Sequence, residues 1–367
     1  MEYNWQQEDW LDFKYKLQDL EETLYVFAQS QGEVEGVLKA LPESIREDTI
    51  LDFMTAEAIK TSEIEGEYLS RQDVISSIRN NLGLNKFPEK IKDKRAKGIA
   101  RLMVSIRHDF EKMLSKELLF DWHLKLMHGN DNIKKGAWRS GDSPMQIISG
   151  AIGKTVVHFE APPSNKIQVE MEQYIQWYNN TSPKSKSSIL HAPIRSAIAH
   201  LYFETIHPFE DGNGRIGRAI SEKVLSEHLG RPVLLSLSKV IEADKQSYYE
   251  ALKVGQRSNE ITPWILYFTS TILKAQEEAK EQIEFTLWKS QFFDKYSGKF
   301  NQRQEKVIAK MLEKGIDNFE GGMSAKKYMS ITKTSKATAT RDLQKLVEIG
   351  VFTSVGSGRS TKYKIKT

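Results

Sequence analysis

His207-Pro208-Phe209-Glu210-Asp211-Gly212-Asn213-Gly214-Arg215-Ile216-Gly217-Arg218 decides how the rest of the chain is read. Its twelve residues combine an imidazole, a carboxylate suited to a hard cation, three glycines, an amide and two arginines. Helical spacing flanks it on both sides. Upstream, Ile194, Ala197, Ile198, Leu201 and Tyr202 recur at the helix period, and downstream Ile216, Ala219, Ile220, Val224 and Leu225 resume it as far as Gly230. A glycine-rich turn that opens a helix suits an anion. Small residues allow close backbone approach, while free first-turn N–H groups and the helix dipole face the ligand.

Working outward, residues 1 to about 90 read as helices. Leu17, Leu20, Leu24 and Phe27 form one apolar stripe, and Ile50, Phe53, Met54 and Ile59 another. The second runs into Thr61-Ser62-Glu63-Ile64-Glu65-Gly66-Glu67, where Gly66 reads as a helix stop and Ser70 with Asp73 as the next start. Three carboxylates at a helix C-terminus oppose the dipole, so cations are expected beside them. Ile99 to Leu126 returns to helical spacing. Met145-Gln146-Ile147-Ile148 and Thr155-Val156-Val157-His158-Phe159, separated by a glycine-bearing turn, read as a β-hairpin whose edge can accept a guest strand. Thr262-Pro263 opens a long helix.

Composition bounds the answer. The 367 residues are 39% hydrophobic and 28% charged, with no cysteine. That excludes a disulfide framework and thiolate metal sites, and it fits a reducing compartment. No signal peptide or membrane helix is expected, so the protein reads as cytoplasmic. The net charge of +4 is unevenly spread. Residues 301–367 hold 14 Lys or Arg against 6 Asp or Glu, a surplus of eight that leaves the preceding part net negative. This end also reads as helix, helix, helix, hairpin, which resembles a winged helix-turn-helix. Ser335, Lys336, Thr338 and Arg341 on its third helix and Arg359 at the wing tip suit phosphate and groove contacts, so DNA enters as a candidate partner.

Every defined position from His207 to Arg218 matches the signature of Fic-domain proteins: His-Pro-Phe, any residue, Asp or Glu, Gly-Asn-Gly-Arg, two residues, Arg. The resemblance covers about residues 97–275. It implies a mainly α fold: a helical core with a small β-hairpin flap, here followed by the winged helix-turn-helix. The expected domains are an N-terminal helical region at 1–96, a catalytic domain at 97–290 and the winged domain at 291–367.

The resemblance implies a protein adenylyltransferase, moving AMP from ATP to a Ser, Thr or Tyr hydroxyl of a target protein or of itself. His207, titrating near neutrality, would be the general base. Asp211 would hold Mg²⁺. ATP would be bound by Gly212, Asn213, Gly214, Arg215, Ile216, Gly217 and Arg218, with Tyr248 and Tyr249 near the adenine. A phosphorylating relative carries Lys where Gly214 stands, so Gly214 implies the adenylylating orientation. The hairpin, with Met145, Gln146, Ile147 and Ile148, occupies the place of the family's target-docking flap.

Thr61, Glu65 and Gly66 match the family's inhibitory motif, Ser or Thr, three residues, Glu, Gly or Asn, in the class that carries it N-terminally. Glu65 is then expected to pair with Arg218 and hold the enzyme off. Removal of AMP by the same glutamate stays open. A second reading is a nucleotide-sensing DNA-binding regulator with little transferase activity. The helical surfaces also leave room for a homodimer.

Overall fold

The computed structural model describes residues 2–149, 156–313, 321–356 and 360–366. They form two compact units, Met1–Glu281 and Gln282–Thr367.

The first unit is helical: α1 (Glu21–Ala40), α2 (Glu43–Ile64), α3 (Arg71–Asn81), α4 (Lys94–Asp109), α5 (Lys116–Leu126), then β1 (Gln146–Ser149) and β2 (Val156–Glu160), then α6 (Ile167–Asn180), α7 (Ala192–Ile206), α8 (Asn213–Leu229), α9 (Leu237–Ala243), α10 (Lys245–Gly255) and the long α11 (Thr262–Lys295) as far as Glu281. Sequence explains the ends. Ser70 accepts from the Asp73 N–H to start α3, Ser115 accepts from Leu118 to start α5, and a proline stands in the first turn of α7. The helical spacing read from Ile99 to Leu126 is carried by two helices, because Ser115 caps a new start after α4 ends.

α7 is the centre. All of its residues are buried, including Arg195, His200 and Glu204, and it lies along α8. Around the pair, Trp122, Tyr174, Tyr178, Phe203 and Phe209 fill one core with side chains from α2 to α5. Leu20, Leu24 and Phe27 are buried as their spacing predicts, but Leu17 lies in a short 3₁₀ turn ahead of α1 and is exposed.

The expected hairpin strands are present. β1 and β2 pair antiparallel, Gln146 opposite Glu160 and Ile147 opposite Phe159, with a register shift between Ile147 and Ile148. Their connecting turn lies outside the described residues. A two-stranded ribbon is marginal alone, and the N-terminal arm braces this one. Trp5 Nε1 donates to the Glu160 carbonyl (2.8 Å), and Tyr3 packs edge-on against Phe159.

In the second unit, α12 (Gln302–Met311), α13 (Ala325–Thr332) and α14 (Lys336–Glu348) precede the antiparallel strands β3 (Phe352–Val355) and β4 (Lys362–Ile365). Its core gathers Val307, Ile308, Tyr328, Leu343, Leu346 and Phe352. Asp342 accepts from Arg303 Nε (2.8 Å), Tyr328 Oη (2.9 Å) and Asn301 Nδ2 (3.1 Å). Ser335, Lys336 and Arg341 are exposed and Thr338 is half-buried. Arg359 lies outside the described residues. Among the described residues no helix is long and apolar enough to cross a membrane.

Candidate active site

The motif spans the turn from α7 into α8. α7 ends on His207 in the left-handed region (φ 50°, ψ 59°), and Pro208 prevents its continuation. Gly212 (φ 86°) precedes the first residue of α8; a side chain there would be strained and would collide with Met127. The N–H groups of Asn213, Gly214 and Arg215 occupy the first turn of α8, where no intrahelical acceptor exists.

Buried groups fix the turn. Phe209 is fully buried, stacked on the His123 ring at 4.0 Å. The Asn213 amide accepts from the Phe209 N–H (2.9 Å) and donates to the Phe209 carbonyl (2.8 Å). Its side chain thus holds the loop rather than facing a phosphate, which leaves the backbone N–H as its contribution to an anion site. His123 Nδ1 accepts from the Gly136 N–H (2.9 Å), so Nε2 carries the proton and donates to the Asp211 carbonyl (3.1 Å). Burial pushes His123 down to about 4, which keeps it neutral in this role.

Arg139 does more of the same work. Its Nε donates to the His207 carbonyl (2.8 Å), its Nη2 to the Pro162 carbonyl and its Nη1 to Ser164 Oγ (3.0 Å), while its backbone N–H donates to the Pro208 carbonyl (2.8 Å). It ties the His207–Pro208 turn to the chain that leaves β2. Burial pushes its guanidinium down to about 10. Neither His123 nor Arg139 was singled out by the sequence reading, because neither lies in a periodic or motif position.

His207 is nearly buried. Burial, with Arg139 close by, pushes it down to about 4, not the neutrality its residue type suggests. At neutral pH its imidazole is therefore uncharged. Asp211 accepts from the Gly212 N–H (2.6 Å) and from Arg215 Nη2 (3.2 Å) through one oxygen, and its half-exposed side chain leaves the other open. That donor set fits a cation arriving with a phosphate, since Mg²⁺ commonly takes one or two carboxylates plus substrate oxygens.

The three acids that close α2 find the expected cations. Gly66 (φ 80°) ends the helix, with the Gly66 and Glu67 N–H groups returning to the Glu63 and Ser62 carbonyls. Glu63 pairs with Lys60 at 2.6 Å. Glu65 Oε1 accepts from Arg218 Nη2 at 2.6 Å, while Arg218 Nε donates to Thr61 Oγ1 (2.8 Å) and Nη2 also to the Thr61 carbonyl (3.0 Å). Burial opposes the Glu65 charge, but Arg218 holds the carboxyl below its ordinary range. Glu67 pairs with Arg215 at 2.9 Å. A Cβ on Gly214 would strike Glu65 Oε1. The missing side chain at 214 therefore makes the space that the carboxylate fills.

The remaining expected residues separate. Ile216 is fully buried in the core. Gly217 lies against Glu204 and His200, where a Cβ would collide with Glu204 Oε1. Tyr248 is buried with its hydroxyl 2.8 Å from His200 Nε2, whereas Tyr249 is 46% exposed and electrostatically within reach of Glu65 and Arg218. In the flap, Gln146 is exposed and Met145 and Ile147 are half-buried; the Ile148 side chain lies outside the described residues.

Residues 113–225 match the Fic/DOC family, and residues 3–84 match a domain family described only as of unknown function. Two relatives are named protein adenylyltransferases. A probable one from Aquifex aeolicus is 27% identical over 213 residues, 57% of this chain and 57% of that protein. The protein adenylyltransferase Fic of Drosophila melanogaster is 28% identical over 149 residues, 41% of this chain and 26% of that protein. The matches thus span little more than half of these relatives at most. In fold, the chain is similar to a Fic family protein from Desulfovibrio desulfuricans (TM-score 0.52, 20% identity, 93% of this chain and 96% of that one). It is also similar to a Fic domain containing signaling protein from Bacteroides thetaiotaomicron (TM-score 0.54, 17% identity, 71% and 97%).

Proposed function

We propose that the site transfers AMP from ATP to a Ser, Thr or Tyr hydroxyl of a protein, this chain included, and that the segment Thr61–Glu67 holds it off. The observation that carries the reading is the Glu65 carboxylate, lying over Gly214 and against Arg218 at the open first turn of α8. A carboxylate rests where phosphate oxygens would find the same N–H groups and the same arginine.

With Glu65 withdrawn, the N–H groups of residues 213–215 and the two arginines face the phosphates. Neutral His207 takes the proton of the incoming hydroxyl, the oxygen bonds to the α-phosphorus, and the bond to pyrophosphate breaks. Mg²⁺, when bound with the nucleotide at Asp211, would offset phosphate charge. The β1–β2 flap would dock the target by strand addition, and Tyr249 is the better placed of the two tyrosines for the adenine. Incubation with ATP and Mg²⁺ followed by mass spectrometry tests the reading. The Glu65→Gly protein is expected to gain the mass of one AMP per modified hydroxyl. A gain of phosphate, or of nothing, overturns it.

The basic surplus of residues 301–367, with exposed Lys336 and Arg341 on α14, favours a winged helix-turn-helix with DNA as partner. This supports a regulator that senses nucleotide as the second reading. Duplex DNA should shift the full chain, with binding falling steeply as salt rises. Lys336→Glu with Arg341→Glu should abolish the shift, and persistence of it would reassign this face.

A further inference from the structure

α7 is apolar on nearly every side, yet it carries a carboxylate, Glu204, one turn before His207. Glu204 is buried, and Oε1 has no hydrogen-bond partner. His207 Nδ1 is likewise buried and makes no well-formed hydrogen bond, the Glu204 backbone carbonyl being its other near acceptor. The two side chains face each other, Nδ1 lying 3.7 Å from Glu204 Oε2, just beyond a hydrogen bond. Gly217 makes room for the carboxyl, because any Cβ there would strike Oε1. Two orphaned buried groups of complementary chemistry, one on the expected base, are costly unless some state joins them.

We propose that Glu204 is the positioning residue of His207, accepting the Nδ1–H so that Nε2 keeps its lone pair for the target hydroxyl. The inference rests on the adenylyl-transfer reading and on His207 as its base. When the hydroxyl O–H breaks, its proton goes to Nε2 and its oxygen to the α-phosphorus. The Nδ1–H stays on the ring, now an imidazolium, and faces the carboxylate. The same logic operates wherever a buried carboxylate orients a catalytic histidine.

The surroundings link this pair to the brake. From α8, Arg218 faces Glu204. Glu65 faces it from the end of α2, Tyr248 from α10, and His200 lies one turn earlier on α7. Arg139, Glu65 and Asp211 act on His207. Burial pushes Glu204 up to about 8, with Glu65 adding to the shift and Arg218 opposing it. Departure of Glu65 removes a charge that pushes Glu204 up and that also supports a protonated His207, while Arg218 turns to the phosphates. The Glu204 carboxyl then remains beside the ring to steady the imidazolium that forms.

The test uses the full chain with Glu65→Gly as parent, following autoadenylylation with labelled ATP across pH, and ¹⁵N imidazole spectra. Glu204→Ala should lower kcat on the order of 10–100-fold, leave the KM for ATP within about twofold, and shift the acid limb of the rate profile. Glu204→Gln, whose amide oxygen still accepts from Nδ1–H, should recover part of kcat but not the parent pH profile. In the parent, the His207 ring, assigned by its absence from His207→Ala, should show the Nδ1–H tautomer, and Glu204→Ala should lose it. An unchanged rate and tautomer in Glu204→Ala overturns the proposal, as does a loss of ATP binding in step with kcat without rescue by Gln. A parent that never labels, or His207→Ala labelling as fast as the parent, overturns the transfer reading instead; the tautomer then still decides whether Glu204 positions the ring.

Discussion

The turn from His207 to Arg218 and the link from Ile64 to Ser70 meet at one place, but they are built in opposite ways. The turn is over-determined: Arg139, His123, Asn213 and Phe209 each hold its backbone or fill its core, all of them buried. The link is held by its charges. Its helix end is a glycine cap, the Glu65 and Glu67 side chains are 31% and 28% exposed, and Tyr68 is 75% exposed. On the proposed reading, the turn is a rigid socket and the link its removable plug. Segments with few buried apolar contacts open at lower free energy than the core.

The largest expected break lies in the socket. His207→Ala in a Glu65→Gly background should lower labelling about 10²–10⁴-fold, the usual worth of a general base. The pH dependence carries the sign. A base must be neutral to accept a proton, and His207 is pushed down to about 4, so the acid limb of the wild-type rate should lie well below 6.5. A limb at 6.5 would show a solvated imidazole and remove the buried-base account.

Next comes the plug. Glu65→Gly removes a part-buried, charge-assisted contact to a fully buried arginine, of about 1.5–3 kcal/mol, so labelling should rise on the order of 10- to 150-fold. Equal labelling by wild type and variant removes the brake.

Arg139→Met tests how rigid the socket must be. It strips donors from the His207 and Pro162 carbonyls and should cost about 1–3 kcal/mol of stability in chemical denaturation, with a loss of labelling that Glu65→Gly does not rescue. Full rescue would mean that the turn holds without its clamp.

The same contrast explains what the sequence disclosed. Helix periodicity and Ser or Pro starts marked most elements, since both are local. The motif marked the socket, and three acids at a helix end foretold nearby cations before their partners were known. Arg139 and His123 stayed invisible because their roles are made by chain segments far apart in sequence. Leu17 follows the apolar spacing of its neighbours, yet it falls outside the helix and is exposed. The sequence left open whether Asn213 offers its N–H or its amide to a phosphate; the fold shows the amide spent on Phe209. Glu204 left one trace, a carboxylate on a mostly apolar helix three residues before His207.

Glu67→Gln is the smallest expected effect and the most discriminating. Glu67 occupies Arg215 as Glu65 occupies Arg218, but it is two residues further along the link and reaches an arginine already shared with Asp211. Partly exposed pairs contribute about 0.2–1 kcal/mol, so the single variant should raise labelling about 1.5- to 5-fold. Both acids sit on one link, and if that link leaves as a unit their effects must not add. In the Glu65→Gly background, Glu67→Gln should then change little, because Arg215 is already released. A full additional rise there would mean that each arginine is masked separately and that the plug is two plugs. No change in either background would leave Arg218 as the sole point of control and reduce the Glu67 pair to a solvated contact.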